Sequence, residues 1–139
     1  MATHTMMDSM NDDPRRLRSL INKAAELASE HSVPSVLVGL KAQERELCFP
    51  EFIDFLQAAL RVEDGIFRMT RERVVLHLAD VDRSKAEEVL HRLIAEFNDQ
   101  YPSMTDAEFD VRCVEVKPGL GDLRVKDVLT DLFTPPCYH

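Results

Sequence analysis

The run Ser35 to Leu40 (SVLVGL) constrains the fold more than any other stretch of the chain, because it carries no charge and no polar alternation. A strand with one wet face alternates apolar and polar residues, whereas an unbroken apolar run of this length reads as a strand covered on both faces. The rest of the chain must therefore supply two covering layers. Asp13 followed by Pro14 reads as an N-cap and first helical position, after which Leu17, Leu20, Ile21, Ala24, Leu27, Ala28 and His31 share one face of a helix from about Pro14 to Glu30. Pro34 ends it. A polar stretch, Lys41 to Glu46, leads into a second helix near Pro50 to Arg61 with Phe49, Phe52, Ile53, Leu56, Ala59 and Leu60 inward.

Two short strands, Gly65 to Met69 and Arg73 to Leu78, lie close enough in sequence to form a hairpin. Ser84 and Glu87 have capping-box spacing for a third helix, which carries Ala86, Val89, Leu90, Leu93, Ile94, Phe97 and Tyr101 at helical intervals and stops at Pro102. Phe109, Val111 and Cys113 alternate with Asp110 and Arg112 in a last strand to Val116. Gly119 and Gly121 then turn the chain into a short helix, Leu123 to Leu132. The predicted class is α/β (α+β). A ferredoxin-like βαββαβ core, an antiparallel sheet with helices on one face, is joined by an extra N-terminal helix and a C-terminal helix. At 139 residues one domain is expected over 14–133, with a mobile arm at 1–13 and a loose tail at 134–139.

Twenty-five acidic against 17 basic residues give a formal charge of −8, which repels phosphate backbones and anionic lipid. General nucleic-acid binding and membrane binding are therefore not expected. No apolar run reaches the ~20 residues that span a bilayer, and the polar, acidic start does not resemble a signal peptide. Cys48, Cys113 and Cys137 are odd in number and unpaired in spacing, so neither a disulfide framework nor a zinc knuckle is indicated. A reducing cytoplasm is the expected compartment. No cofactor is expected, and Cys137 and His139 in the tail do not by themselves make a metal site.

The segment ALRVEDGIFRMTRERVVLHL, followed by a helix beginning SKAEEVLHRL, resembles the centre of a GGDEF domain, the nucleotide-cyclase fold of diguanylate cyclases. In that family an RxxD motif, five spacer residues, the GG(D/E)EF signature and an apolar strand follow one another. Here Arg61, Val62, Glu63 and Asp64 read as RxxD, Gly65 to Met69 as the spacer, and Thr70 to Val74 (TRERV) stand where the signature would be. LRVKDVLTDLF is similar to the family's closing helix.

The departures bear on catalysis. In the family the two glycines let the backbone turn tightly against the nucleotide, and Thr70 and Arg71 replace them; their side chains fill the space where a base or phosphate approaches. Phosphoryl transfer by this family also needs divalent metal held by carboxylates of the first strand and of the signature. Glu72 occupies the acidic signature position, but SVLVGLKAQ holds no carboxylate before Glu44. The resemblance therefore implies a catalytically inactive module, not an enzyme, acting as a regulatory or adaptor protein on an unidentified protein partner.

The resemblance also implies a second function, a receptor for cyclic di-GMP. In cyclases RxxD resembles an inhibitory site that grips this cyclic dinucleotide, and a guanidinium with a carboxylate suits phosphate and guanine edges. Arg61, Asp64 and Arg68 are the candidate ligand-binding residues. Arg61 and Asp64 at a helix end also suit a plain structural pair. Arg71 and Arg73, with Arg68, make a basic hairpin on an acidic protein, a candidate docking patch for an anion or an acidic partner, or simply a solvated tip balanced by Glu72. His77 is expected to be half-buried or at the surface, His91 to be on a polar helix face, and Cys113 to be in the core. Phe55 lies off the apolar stripe. A third reading is an unrelated ferredoxin-like effector-binding or RNA-binding domain, which would want exposed sheet aromatics, and the strands offer Phe67 and Phe109. A monomer or weak homodimer is expected.

Overall fold

The computed structural model describes residues 13–42, 49–101, 109–119 and 123–133. The arm 1–12, the tail with Cys137 and His139, and Glu44 and Cys48 lie outside the described residues. The elements are α1 (Pro14–His31), β1 (Ser35–Ala42), α2 (Phe49–Ala59), β2 (Gly65–Thr70), β3 (Arg73–Ala79), α3 (Arg83–Gln100), β4 (Phe109–Val116) and α4 (Val125–Phe133). The strands form one antiparallel sheet in the order β2-β3-β1-β4. This is the ferredoxin-like βαββαβ core, with α1 and α4 as the added helices.

β1 lies in the middle, and residues Ser35 to Leu40 are all buried, as the unbroken apolar run requires. Its alternate side chains serve two separate cores. Val36, Val38 and Leu40 meet Phe52, Leu56, Leu90 and Phe97 of α2 and α3. Leu37, with Val75 and Phe67, meets Ile21 and Ala24 of α1 and Leu132 of α4. The α2–α3 side is aromatic: Phe52 stacks on Phe109 at 4.6 Å and meets Phe97 edge-on at 5.2 Å, while Phe55 packs on Phe97 at 5.6 Å. Both sheet faces are covered, so Phe67 is a core residue and the half-buried Phe109 is taken up in packing against Phe49 and Phe52.

α4 crosses β1 very closely. A Cβ placed on Gly39 would lie 2.7 Å from the Leu132 Cβ, so only glycine allows this approach. α1 begins as the sequence indicates, with the Asp13 side chain accepting from the Arg15 N–H. For α3 the cap differs from the expected capping box. Asp82, not Ser84, is the N-cap, and its carboxylate accepts from Lys85 N at 2.8 Å. A charged acceptor placed before the first turn wins over a hydroxyl already inside it.

His77 is also corrected. It is 1% exposed, because β3 is covered on the α1 side as well as on the α2–α3 side. No helix among the described residues is long and apolar enough to cross a membrane.

Candidate functional site

The β2–β3 hairpin carries the sequence-predicted residues at its two ends. At its base, residues 61–64 make a tight turn in which Asp64 N–H donates to the Arg61 carbonyl at 3.0 Å. The Asp64 carboxylate turns back over this loop. Its Oδ2 accepts from Arg61 N and from Arg61 Nε, both at 3.0 Å. Its Oδ1 accepts from Arg61 Nη2 at 2.9 Å and from Ala79 N at 3.0 Å. Arg61 Nη2 also donates to the Ala79 carbonyl at 2.6 Å. The pair therefore replaces ladder partners for the last residue of β3, which would otherwise present unpaired backbone groups.

The electrostatics follow from that geometry. The Asp64 side chain is only 3% exposed while Arg61 is 47% exposed. Burial pushes the Asp64 carboxyl upward, but the hydrogen bonds from Arg61 and from Ala79 N–H outweigh it and hold the group below its ordinary value. Arg61 is correspondingly raised by the Asp64 bond. Its outer edge stays open to solvent near Glu63, at 3.5 Å, and the neighbouring Val62 is fully exposed.

Arg68 lies elsewhere. It sits opposite Val74 on the ladder, separated from Ala79 by about 16 Å of strand. Its Nη2 donates to Asp54 Oδ1 at 3.0 Å and to Gln57 Oε1 at 2.6 Å, both on α2. The structure thus brings Arg61 and Asp64 together and places Arg68 over a different element. Asp54 and Gln57 were not singled out from sequence, although their i, i+3 spacing on the polar side of α2 was available as a signal.

The tip is closed by different means. Thr70 pairs with Arg73, and a bulge between Arg68 and Thr70 absorbs the extra residue. Thr70 Oγ1 accepts from Glu72 N at 3.2 Å, and the Glu72 carbonyl accepts from Ala42 N at 2.8 Å. Neither Arg71 nor Glu72 has positive φ, so the turn forms without glycine. Arg71 is exposed, and Arg73 lies over the Phe133 ring at 5.4 Å on the α4 side. The two tip arginines therefore point their charge to different surroundings. A shallow cavity of about 310 Å³ separates the tip from α2, lined by Phe49, Ile53, Asp54, Arg68, Thr70 and Arg71.

The divalent metal that the family resemblance implies does not fit these residues. Glu72 is the only carboxylate of the tip, and the adjoining end of β1 presents Lys41 and Ala42. Among the described residues no three His, Cys, Asp or Glu side chains converge as metal ligands.

No protein-family model and no curated protein matches the chain. Solved structures do. A PelD structure, residues 158 to the C-terminus, from Pseudomonas aeruginosa PAO1 is similar with a TM-score of 0.64 at 16% identity, over 83% of this chain and 42% of that one. The apo form of PelD 156–455 from P. aeruginosa PA14 gives 0.61 at 18% identity, over 84% and 43%. A DGC (diguanylate cyclase) protein from Thermotoga maritima gives 0.59 at 18% identity, over 85% of this chain and 87% of that one. The chain thus spans less than half of the PelD structures and most of the DGC protein. The fold is of the GGDEF type.

Proposed function

We propose that the chain is a catalytically inactive GGDEF-like module that works as a regulatory or adaptor protein through protein contacts. The observation that carries this is the hairpin tip. Thr70 and Glu72 close it through side-chain and backbone bonds of their own, Arg71 stands exposed, and among the described residues of the hairpin turn and of β1 Glu72 is the one carboxylate. A kept fold with an altered centre suits a role in recognition, and the likeness to PelD as well as to a cyclase is in keeping with it. The test is capture of the tagged chain from its native cell followed by mass spectrometry, with an Arg71→Glu/Arg73→Glu variant as control. A reproducible partner that the charge-reversed hairpin loses is expected; recovery of ribosomal and chaperone background alone would remove the adaptor role.

A second reading, a cyclic di-GMP receptor, is favoured by one observation. Asp64 fixes the Arg61 guanidinium with its outer edge in solvent beside the exposed Val62, which is a preorganised donor next to an apolar surface for a base. Asp64 itself already accepts four hydrogen bonds, so the ligand would be held by Arg61 rather than by the pair, and Arg68 would reach it only along the length of the hairpin. Calorimetric titration with cyclic di-GMP decides. Saturable heat that is lost in Arg61→Ala supports the receptor, and no heat or an unchanged affinity in the variant excludes it.

A further inference from the structure

Uncompensated positive charge is gathered on one side of this acidic chain. At the hairpin base and along α2 and α3 the cations are taken up in ion pairs, among them Arg61, Arg68, Arg83, Lys85 and Arg92. Arg18, Lys41, Arg73 and Lys126 have no ion pair among the described residues. Three of these four line one open groove of about 670 Å³ between α1 and α4: Arg18 from α1, Arg73 from β3 and Lys126 from α4. Between them lie the apolar side chains of Val125, Leu129 and Phe133. Lys41 stands directly opposite Arg73 on the ladder.

Two of these placements are locally unfavourable. Like charges directly opposite each other weaken a ladder, and Lys41 faces Arg73. A cation in the first turn of a helix opposes the helix dipole, and Lys126 is the second residue of α4. The positive end of α4 therefore adds to the potential of the same groove. Little on the spot offsets it. The Arg73 guanidinium lies over the Phe133 ring at 5.4 Å. Asp110, opposite Lys41 on β4, lies 3.9 Å from Arg112 Nε. The carboxylates of α4, Asp127 and Asp131, are one turn apart on a side of the helix that does not line the groove, and no other described carboxylate lines it.

From the uncompensated cations and the apolar floor between them, we propose that the α1–α4 groove docks an acidic amphipathic segment of a partner protein. Its carboxylates meet Arg18, Arg73 and Lys126, and an apolar side chain rests on Leu129 and Phe133. This rests on the adaptor role proposed above and gives the partner a chemistry and a place. Charge complementarity selects the occupant. A second copy of a chain of charge −8 is repelled as a whole, whereas an acidic segment of another protein meets only the positive groove. A lipid surface would need protruding apolar side chains, but here Phe133 is buried and Leu129 half-buried as the floor of a groove. An open groove along a helix also fits a peptide segment better than a small ligand, which needs an enclosing pocket.

The experiment is selection of random peptides displayed on phage against the full chain, followed by calorimetric titration of the tightest binder. Expected are binders rich in Asp and Glu with apolar residues at helical spacing, an affinity that falls as salt rises, and about tenfold weaker binding to Arg18→Glu/Lys126→Glu. Both side chains are exposed, and taking Lys126 out of the first turn of α4 favours that helix, so the variant keeps the parent's thermal midpoint. Leu129→Ala, which trims the floor, should weaken the same peptide severalfold without changing its salt dependence. Binders without acidic enrichment, an affinity unchanged in the double variant, or no binders at all overturn the proposal. A parent dimer in sedimentation, or binding to phosphatidylserine vesicles, that the double variant abolishes would assign the groove to a second copy or to lipid and overturn it equally. The adaptor role fails separately, when capture from the native cell returns no partner; an acidic binder indifferent to Arg18 and Lys126 removes the groove and leaves that role standing.

Discussion

The two ends of the β2–β3 hairpin solve the same problem, how to finish a pair of strands, with opposite chemistry. The base is finished by a buried carboxylate that collects four donors and anchors β3 through Ala79. The tip is finished by a bulge, one threonine hydroxyl and a backbone bond to β1, with its charged side chains outside. The difference teaches where the hairpin holds structure and where it only displays residues. In this chain the base is energetically committed, and the tip is free to change without unfolding the sheet.

The largest expected effect falls at the base. Asp64→Ala removes the acceptor of Arg61 N, of Ala79 N and of the guanidinium at once, and should cost about 3–4 kcal/mol in urea unfolding. The pH dependence agrees in sign. The Asp64 pKa is below the 3.8 of an ordinary carboxyl. Its stabilisation is therefore fully present above pH 3.8 and is lost as pH falls through the lower folded value, a loss that Asp64→Asn should not show.

His77, near the base, titrates in a separate window. Burial first, with help from the Lys23 charge and against the pull of Asp64, lowers it from 6.5 to about 4. The folded chain thus keeps His77 neutral where the unfolded chain protonates it. Stability should fall by about 2–3 kcal/mol as pH drops from 6.5 to 4, and His77→Phe should flatten that limb of the profile. If the parent is flat across this range, the ring is hydrated and the dry base is wrong.

Smaller effects belong to the tip. The double change Thr70→Gly/Arg71→Gly raises the entropy of the unfolded chain and removes the Thr70 hydroxyl, at a cost of about 1 kcal/mol. Arg71→Ala alone should change stability by less than about 0.5 kcal/mol. A large loss from either would erase the contrast between the two ends.

Much of this was legible in the sequence because periodicity speaks for itself. The unbroken run of β1 announced two covering layers, and the apolar stripes of α1, α2 and α3 supplied them. The spacing of Arg61 and Asp64 brought out their pairing. What periodicity does not carry is the third dimension. Asp64 uses the backbone of Ala79, a partner with no side-chain signal, so its saturation was not visible. His77 stood in an alternating strand whose second face is covered by α1, and only the packing of that helix shows the ring to be buried. The cap of α3 went to Asp82 because charge outranks the S-x-x-E pattern when both are available within one turn.

The contrast between a committed base and a silent tip has one direct chemical consequence. Incubating the purified chain, and in parallel its Thr70→Gly/Arg71→Gly variant, with GTP and Mg²⁺ or Mn²⁺ and separating the nucleotides by chromatography measures it. Expected is no cyclic di-GMP from either protein, since restoring the glycines adds no carboxylate to β1, whose described residues carry none. Accumulation of cyclic di-GMP by the parent chain would contradict the inactive module outright.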